Sequence, residues 1–168
     1  TVERELQITR DCLNVFAEAR NPVGIITKNY LVTRDSDLLE ELAHYDAAHV
    51  TLSITTLDRD LARVMEPRTS QPPRRLKAIE ELAQKGISVG VNVAPIIPGL
   101  TDHECVDILE AARDAGATHA SYTIVRLPYG VKDLFQEWLE QHFPDRKEKV
   151  LNRIRNIRGG ELNESEFG

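Results

Sequence analysis

The sequence predicts an α/β protein built on a parallel sheet of βα repeats. Three observations carry that expectation. Short β-branched apolar runs alternate with segments of helical periodicity, in the order αβαβαβαβαα. The strand-like runs are nearly continuous in apolar residues, as in sheets covered by helices. Each run finishes in polar or charged residues, which gathers a set of functional groups on one rim of the sheet.

Val2, Leu6, Leu13, Phe16 and Ala17 recur at helical spacing, so residues 2–20 read as one helix, ended by Asn21-Pro22. Val23 to Thr27 is the first strand. Asp35 or Ser36 caps a helix bearing Leu38, Leu39 and Leu42, and Ala48 to Thr55 is the second strand. A short helix follows from Asp58 to Met65. The proline-rich segment 66–73 breaks it, and Arg74 to Lys85 resumes with Leu76, Ile79, Leu82 and Ala83 inward and Gly86 as its stop. Ser88 to Ala94 is the third strand. Pro95 has no N–H, so the ladder is expected to stop there. Thr101 or Asp102 then caps a helix from about residue 103 to Ala115, with Glu104 in its first turn and Gly116 as its stop. His119 to Val125 is the fourth strand. Two helices close the chain, Val131 to His142 and Asp145 to about Arg158, before a polar tail from Gly159 to Ser165. In the first of them Leu134, Phe135 and Trp138 read as a packing face.

With 168 residues, 41% hydrophobic and 29% charged, the chain suits one ordinary domain with a real core. A net charge of −6 argues against wholesale nucleic-acid binding. No apolar run approaches the roughly 20 residues of a membrane helix, and no signal peptide opens the chain, so the expectation is a cytoplasmic protein. Cys12 and Cys105 lie far apart and read as packed thiols rather than a zinc, iron–sulfur or disulfide framework. The start at Thr1, inside a helical pattern, reads as a piece of a longer protein.

The strand ends supply the candidate site. Lys28 follows the first strand, Ser53 and Thr55 end the second, Asn92 and Ala94 belong to the third, and Arg126 follows the fourth. Lysine, arginine, hydroxyls and an amide suit a ligand with a carboxylate or phosphate and a ribose. Asn92 is a polar residue inside an apolar strand, and a buried amide needs partners. Glu66 and Arg68, in the proline-rich loop, read as a loop ion pair. Residues 145–158 hold six basic residues against two acids, a local +4 that could contact a phosphate backbone.

Ile26-Thr27-Lys28, Leu52-Ser53-Ile54-Thr55, Met65-Glu66-Pro67-Arg68-Thr69, Val93 through Gly99, Arg126-Leu127-Pro128, Val131 through Phe135 and Arg158-Gly159-Gly160 follow one another in this order. Together they resemble the radical SAM proteins related to spore photoproduct lyase, a bacterial subgroup of iron–sulfur oxidoreductases and lyases. The resemblance implies part of a (βα)6 partial TIM barrel at 1–128, with four strands present, and a C-terminal helical extension at 129–168. It implies S-adenosylmethionine (SAM) and a 4Fe-4S cluster, whose electron cleaves SAM to a 5′-deoxyadenosyl radical. By resemblance Lys28 and Ser53 match SAM-contacting positions, Ala94 matches the strand that backs the adenine, and Arg68 is a candidate for the SAM carboxylate. Thr55, Asn92 and Arg126 join the set from their strand-end positions. The family's CxxxCxxC is absent from these 168 residues, so no residue here is expected to ligate metal and the chain alone is expected to be inactive.

Three further expectations follow. The edge of strand 23–27 is exposed and invites a homodimer. The alternatives are an α/β binding module that meets nucleic acid or a protein through helix 145–158, and a metal-independent barrel fragment with Lys28 as a Schiff-base lysine.

Overall fold

The computed structural model describes residues 2–163. Strands β1 (Val23–Thr27), β2 (Ala48–Ile54), β3 (Ser88–Ile96) and β4 (His119–Ile124) form one parallel sheet in the order β1-β2-β3-β4. Between and around them run α1 (Val2–Leu6), α2 (Ile8–Ala19), α3 (Ser36–Ala43), α4 (Arg59–Met65), α5 (Pro72–Gln84), α6 (Cys105–Asp114), α7 (Val131–His142) and α8 (Pro144–Ile157). Spatial order equals chain order, so every crossover advances in the same direction. Right-handed crossovers that never reverse put their helices on one face, which is the wall of a βα barrel rather than a doubly wound sheet.

Register makes the two faces explicit. Val50, Leu52 and Ile54 stand beside Val89, Val91 and Val93. These residues pack with Leu39 and Leu42 of α3, Ala78, Ile79 and Leu82 of α5, and Ile108 and Ala112 of α6 in one buried core. The alternate residues form the other face: Ile26, Thr51, Gly90 and His119 in one row, Ser53, Asn92 and Ser121 in the next. Among the described residues no helix covers this second face: α2, α3, α5 and α6 all contribute to the core on the first. Ile26 is 73% exposed there. The strands are therefore not buried on both sides, and their apolar look comes from one face plus hydroxyls and glycine on the other.

A second core lies at the C-terminal rim. Val150, Leu151 and Ile154 of α8 and Leu139 of α7 pack on Ile97 and Leu100 after β3, Val125 and Leu127 after β4, and Leu61 of α4. The helix pair thus caps the rim and does not lie along β4, which stays exposed on both faces, with Tyr122 71% accessible.

The structure corrects several sequence expectations. The helix at 2–20 is two helices, broken at Gln7, whose backbone is left-handed (φ 53°). Strand β3 does not stop at Ala94. It continues through a cis Ala94–Pro95 peptide and pairs again at Ile96 with Ile124. Pro95 still donates nothing, and a register shift between Val93 and Ile96 absorbs the gap. Helix α5 begins at Pro72, not Arg74, because its two prolines fill the first turn, where N–H groups have no partner anyway. Thr101 and Asp102 cap no helix with their side chains. Thr101 Oγ1 accepts from Ile97 N (2.9 Å) and Asp102 Oδ1 from Gly99 N (2.9 Å), closing the β3–α6 turn on itself. On α7, Phe135 stacks on Trp138 at 6.0 Å, but Leu134 is 66% exposed and outside the packing face. Residues 164 and 165 of the expected tail lie outside the described residues.

Candidate functional site

Parallel strands deliver their C-terminal ends to one rim, and three of those ends meet at one ammonium group. Lys28 follows β1, and its Nζ donates to Thr55 Oγ1 beyond β2 (3.0 Å) and to the Ala94 carbonyl in β3 (3.0 Å). Its third partner is Glu66 Oε1, in the loop after α4. An ammonium has three N–H donors, so this one is saturated. Thr55, 1% exposed, sits inside the knot: its hydroxyl lies 2.7 Å from the Ala94 carbonyl and 2.9 Å from Glu66 Oε1.

Glu66 faces a second cation. Arg75, in the first turns of α5, is 1% exposed and uses all three nitrogens of its guanidinium. Nη2 meets Glu66 Oε2 (2.5 Å) and Thr69 Oγ1 (2.6 Å), Nη1 donates to the Ser53 carbonyl (2.9 Å), and Nε donates to the Ser70 carbonyl (2.7 Å). Burial by itself would raise the Glu66 pKa, but the hydrogen bonds and charges of Lys28 and Arg75 outweigh it and hold the carboxyl below its ordinary value. Two cations on one carboxylate leave the knot with a net single positive charge. A parallel tie runs beside it: Glu104, 9% exposed, accepts from Thr56 Oγ1 (2.6 Å) and Leu57 N (2.7 Å), fastening the loop after β3 to the loop after β2.

Of the residues the sequence singles out, Lys28, Thr55 and Ala94 come together directly. Ser53 joins through its backbone carbonyl. Asn92 lies on the open face in the row of Ser53 and Ser121, and its buried side-chain oxygen accepts no hydrogen bond among the described residues. Arg68 is exposed in the 66–71 loop and pairs neither with Glu66 nor with another described side chain, so the expected Glu66–Arg68 loop pair is replaced by Lys28–Glu66–Arg75. Arg126 is exposed two residues beyond β4. Sequence reasoning missed Arg75. Its signal is visible in retrospect: Arg75, Ala78, Ile79 and Leu82 share one helix stripe, and an arginine on an apolar stripe must be paired.

Three of the six basic residues of 145–158 are spent on other parts of the protein. Lys147 pairs with Glu140 (2.9 Å), Arg153 with Asp102 (2.8 Å), and Arg158 donates to the Val125 carbonyl (2.7 Å).

The described residues suit one of the two cofactors the sequence resemblance implies. Cys12 lies exposed on α2, Cys105 opens α6, and among the described residues no three His, Cys, Asp or Glu side chains converge as metal ligands. They do not fit an iron–sulfur cluster. A polar, helix-free sheet face with an orphaned amide oxygen and a net positive knot at its rim does fit a hydrogen-bonding ligand that carries a carboxylate. Among the described residues no helix is long and apolar enough to cross a membrane.

Residues 2–112 match the family model described as "Radical SAM superfamily". An uncharacterized protein of Mycobacterium bovis is 32% identical over 147 residues, 86% of this chain and 42% of its own length. One from Methanocaldococcus jannaschii is 28% identical over 155 residues, covering 90% of this chain and 55% of its own length. One from Acidianus two-tailed virus is 42% identical over 74 residues, 44% of this chain and 24% of its own. The chain thus spans from two fifths to just over half the length of the first two. The match across most of the chain, on a parallel sheet with one open polar face, places it: the chain belongs to the radical SAM superfamily.

Proposed function

We propose that this chain is the SAM-binding wall of a radical SAM enzyme of the spore photoproduct lyase-like oxidoreductase and lyase subgroup. The observation that carries the reading is the meeting of a positive knot at the strand ends with an open polar face on which the buried Asn92 side-chain oxygen accepts no hydrogen bond among the described residues. SAM brings a carboxylate for the first, and ribose hydroxyls and an adenine for the second. In this reading Lys28 and Arg68 attract the carboxylate, Ser53, Thr55 and Asn92 orient the nucleoside, Ala94 backs the adenine, and Arg126 borders the ligand from β4. Bound SAM, reduced by a cluster held outside the described residues, supplies a carbon radical for hydrogen abstraction. The chain's own residues bind and orient it. Alone, the chain does not cleave SAM.

Isothermal titration of the chain with SAM tests this. Binding that weakens about tenfold in Asn92→Leu and in Lys28→Met supports the reading, since the first removes a hydrogen-bond acceptor and the second removes one of the two cations that make the rim positive. Equal binding in all three proteins, or none in the unsubstituted chain, overturns it. The runner-up reading places nucleic acid on α8; with Lys147, Arg153 and Arg158 engaged by other segments and Arg155 donating to Asn152 Oδ1 (2.9 Å), it predicts binding centred on Arg146 and Lys149.

A further inference from the structure

We infer that Glu66 is the positioning residue of this site, and that Arg75 is the anchor that aims it. The inference rests on the reading of the strand-end rim as the SAM site.

A lysine side chain has four rotatable bonds and holds no fixed direction by itself. Lys28 lies beyond the end of β1, where no ladder constrains it. What fixes its ammonium is a set of acceptors from elsewhere in the chain, and Glu66 is the charged one. Glu66 is itself in a loop, between α4 and α5, where a carboxylate would ordinarily wander. It does not, because Arg75 closes over its second oxygen while gripping Thr69 and the Ser70 carbonyl of the same loop. Arg75 in turn is fixed to the sheet through the Ser53 carbonyl. The chain of support runs from β2 through Arg75 and Glu66 to Lys28, from a side chain 1% exposed through one 11% exposed to one 29% exposed.

The two oxygens of Glu66 have divided tasks. Oε2 takes the anchor and Oε1 takes the lysine and the Thr55 hydroxyl. Glutamine in its place keeps the shape but puts an NH2 where one acceptor stood. It also leaves two cations sharing no carboxylate. The ammonium then has no preferred direction, and a ligand carboxylate meets a mobile charge rather than a placed one.

The test uses two readings on the 168-residue chain with Glu66→Gln. The first is the extent of Lys28 acetylation by acetic anhydride at fixed pH, counted by mass spectrometry against the other lysines. The second is SAM affinity. Positioning predicts that Lys28 acetylation rises severalfold while Lys77, Lys132 and Lys149 keep theirs, and that SAM binds about tenfold more weakly. Unchanged Lys28 acetylation overturns the inference, as does a rise common to all lysines, which marks a merely structural role. If the unsubstituted chain binds no SAM, the site reading fails, and Lys28 acetylation still decides whether Glu66 positions it. Should Glu66→Gln not fold, Glu66→Asp keeps the charge and withdraws it by one methylene. A selective rise at Lys28 in that variant supports positioning, and no change overturns it.

Discussion

His49 and His119 meet edge to face above Gly90, with ring centroids 4.7 Å apart and planes at 63°. They come from β2 and β4, and β3 between them offers a glycine, where a Cβ would stand 3.2 Å from the His119 carbonyl and 3.4 Å from His49 Nε2. Both ring nitrogens of His49 are engaged, Nδ1 with Ser88 Oγ and Nε2 with Thr51 Oγ1, each at 3.1 Å. The pair closes the end of the open face away from Lys28, beside a cavity of about 480 Å3 that Asp46 also lines.

Burial, and secondarily the neighbouring His119, lower the His49 pKa below its ordinary 6.5. The folded chain therefore resists a proton that the unfolded chain accepts. His49 leaves stability intact above pH 6.5 and takes it away as pH falls below that value. Urea midpoints should drop between pH 7 and pH 5, and His49→Gln should flatten the drop. The carboxylates of Asp37 (about 2) and Glu66 are held low and lose their contribution only at more acid pH. An equal slope in both proteins would sink the assignment.

Arg75→Met removes four hydrogen bonds at once and leaves the Ser53 and Ser70 carbonyls without that donor. The expected loss is about 3 kcal/mol in urea unfolding, the usual scale for breaking a buried ion pair. A loss under about 1 kcal/mol would place Arg75 among ordinary surface arginines.

Gly116 ends α6 with φ 105°, and a Cβ there would sit 2.8 Å from Ala83 Cβ on α5. Gly116→Ala combines a forbidden backbone with a clash between two packed helices, so about 2–3 kcal/mol should be lost. Gly130, which meets nothing and has ordinary dihedrals, is the control: Gly130→Ala should shift stability by less than about 1 kcal/mol.

Among the described residues strand β1 presents an unpaired edge, and its Ile26 is 73% exposed. We expect the chain to dimerise through 23–27 at high concentration, and a charge on that strand to oppose it. Light scattering should show a larger species for the unsubstituted chain and less of it for Ile26→Lys. Monomers in both would remove the edge from consideration.

How much of this was readable from the residues depends on the range of the interaction. The strands and most helices follow local period and punctuation, and their ends were placed to within a few residues. The parallel pairing of the sheet follows from alternation plus handedness, while its order β1-β2-β3-β4 is read from the structure. The break at Gln7 was not legible, since a left-handed glutamine leaves no mark on hydrophobic spacing. Nor was the continuation of β3 past Pro95, which depends on what β4 offers across the gap. Within the site, Lys28 stood out because it follows a strand end and Asn92 because it is polar inside an apolar strand. Glu66 was visible only as a loop charge. Its pairing with Lys28, 38 residues away, is set by the topology of two crossovers and by no spacing in the chain.

One dry face and one wet face have a calorimetric signature. Unfolding a sheet clad on both sides by helices hydrates apolar surface from two interiors; here the sheet itself contributes one. The heat-capacity increment per residue should fall below the roughly 12–15 cal/mol/K of ordinary globular chains. A smaller increment bends the free-energy curve less, so the chain should hold a modest stability nearly constant over a wide span of temperature instead of peaking sharply.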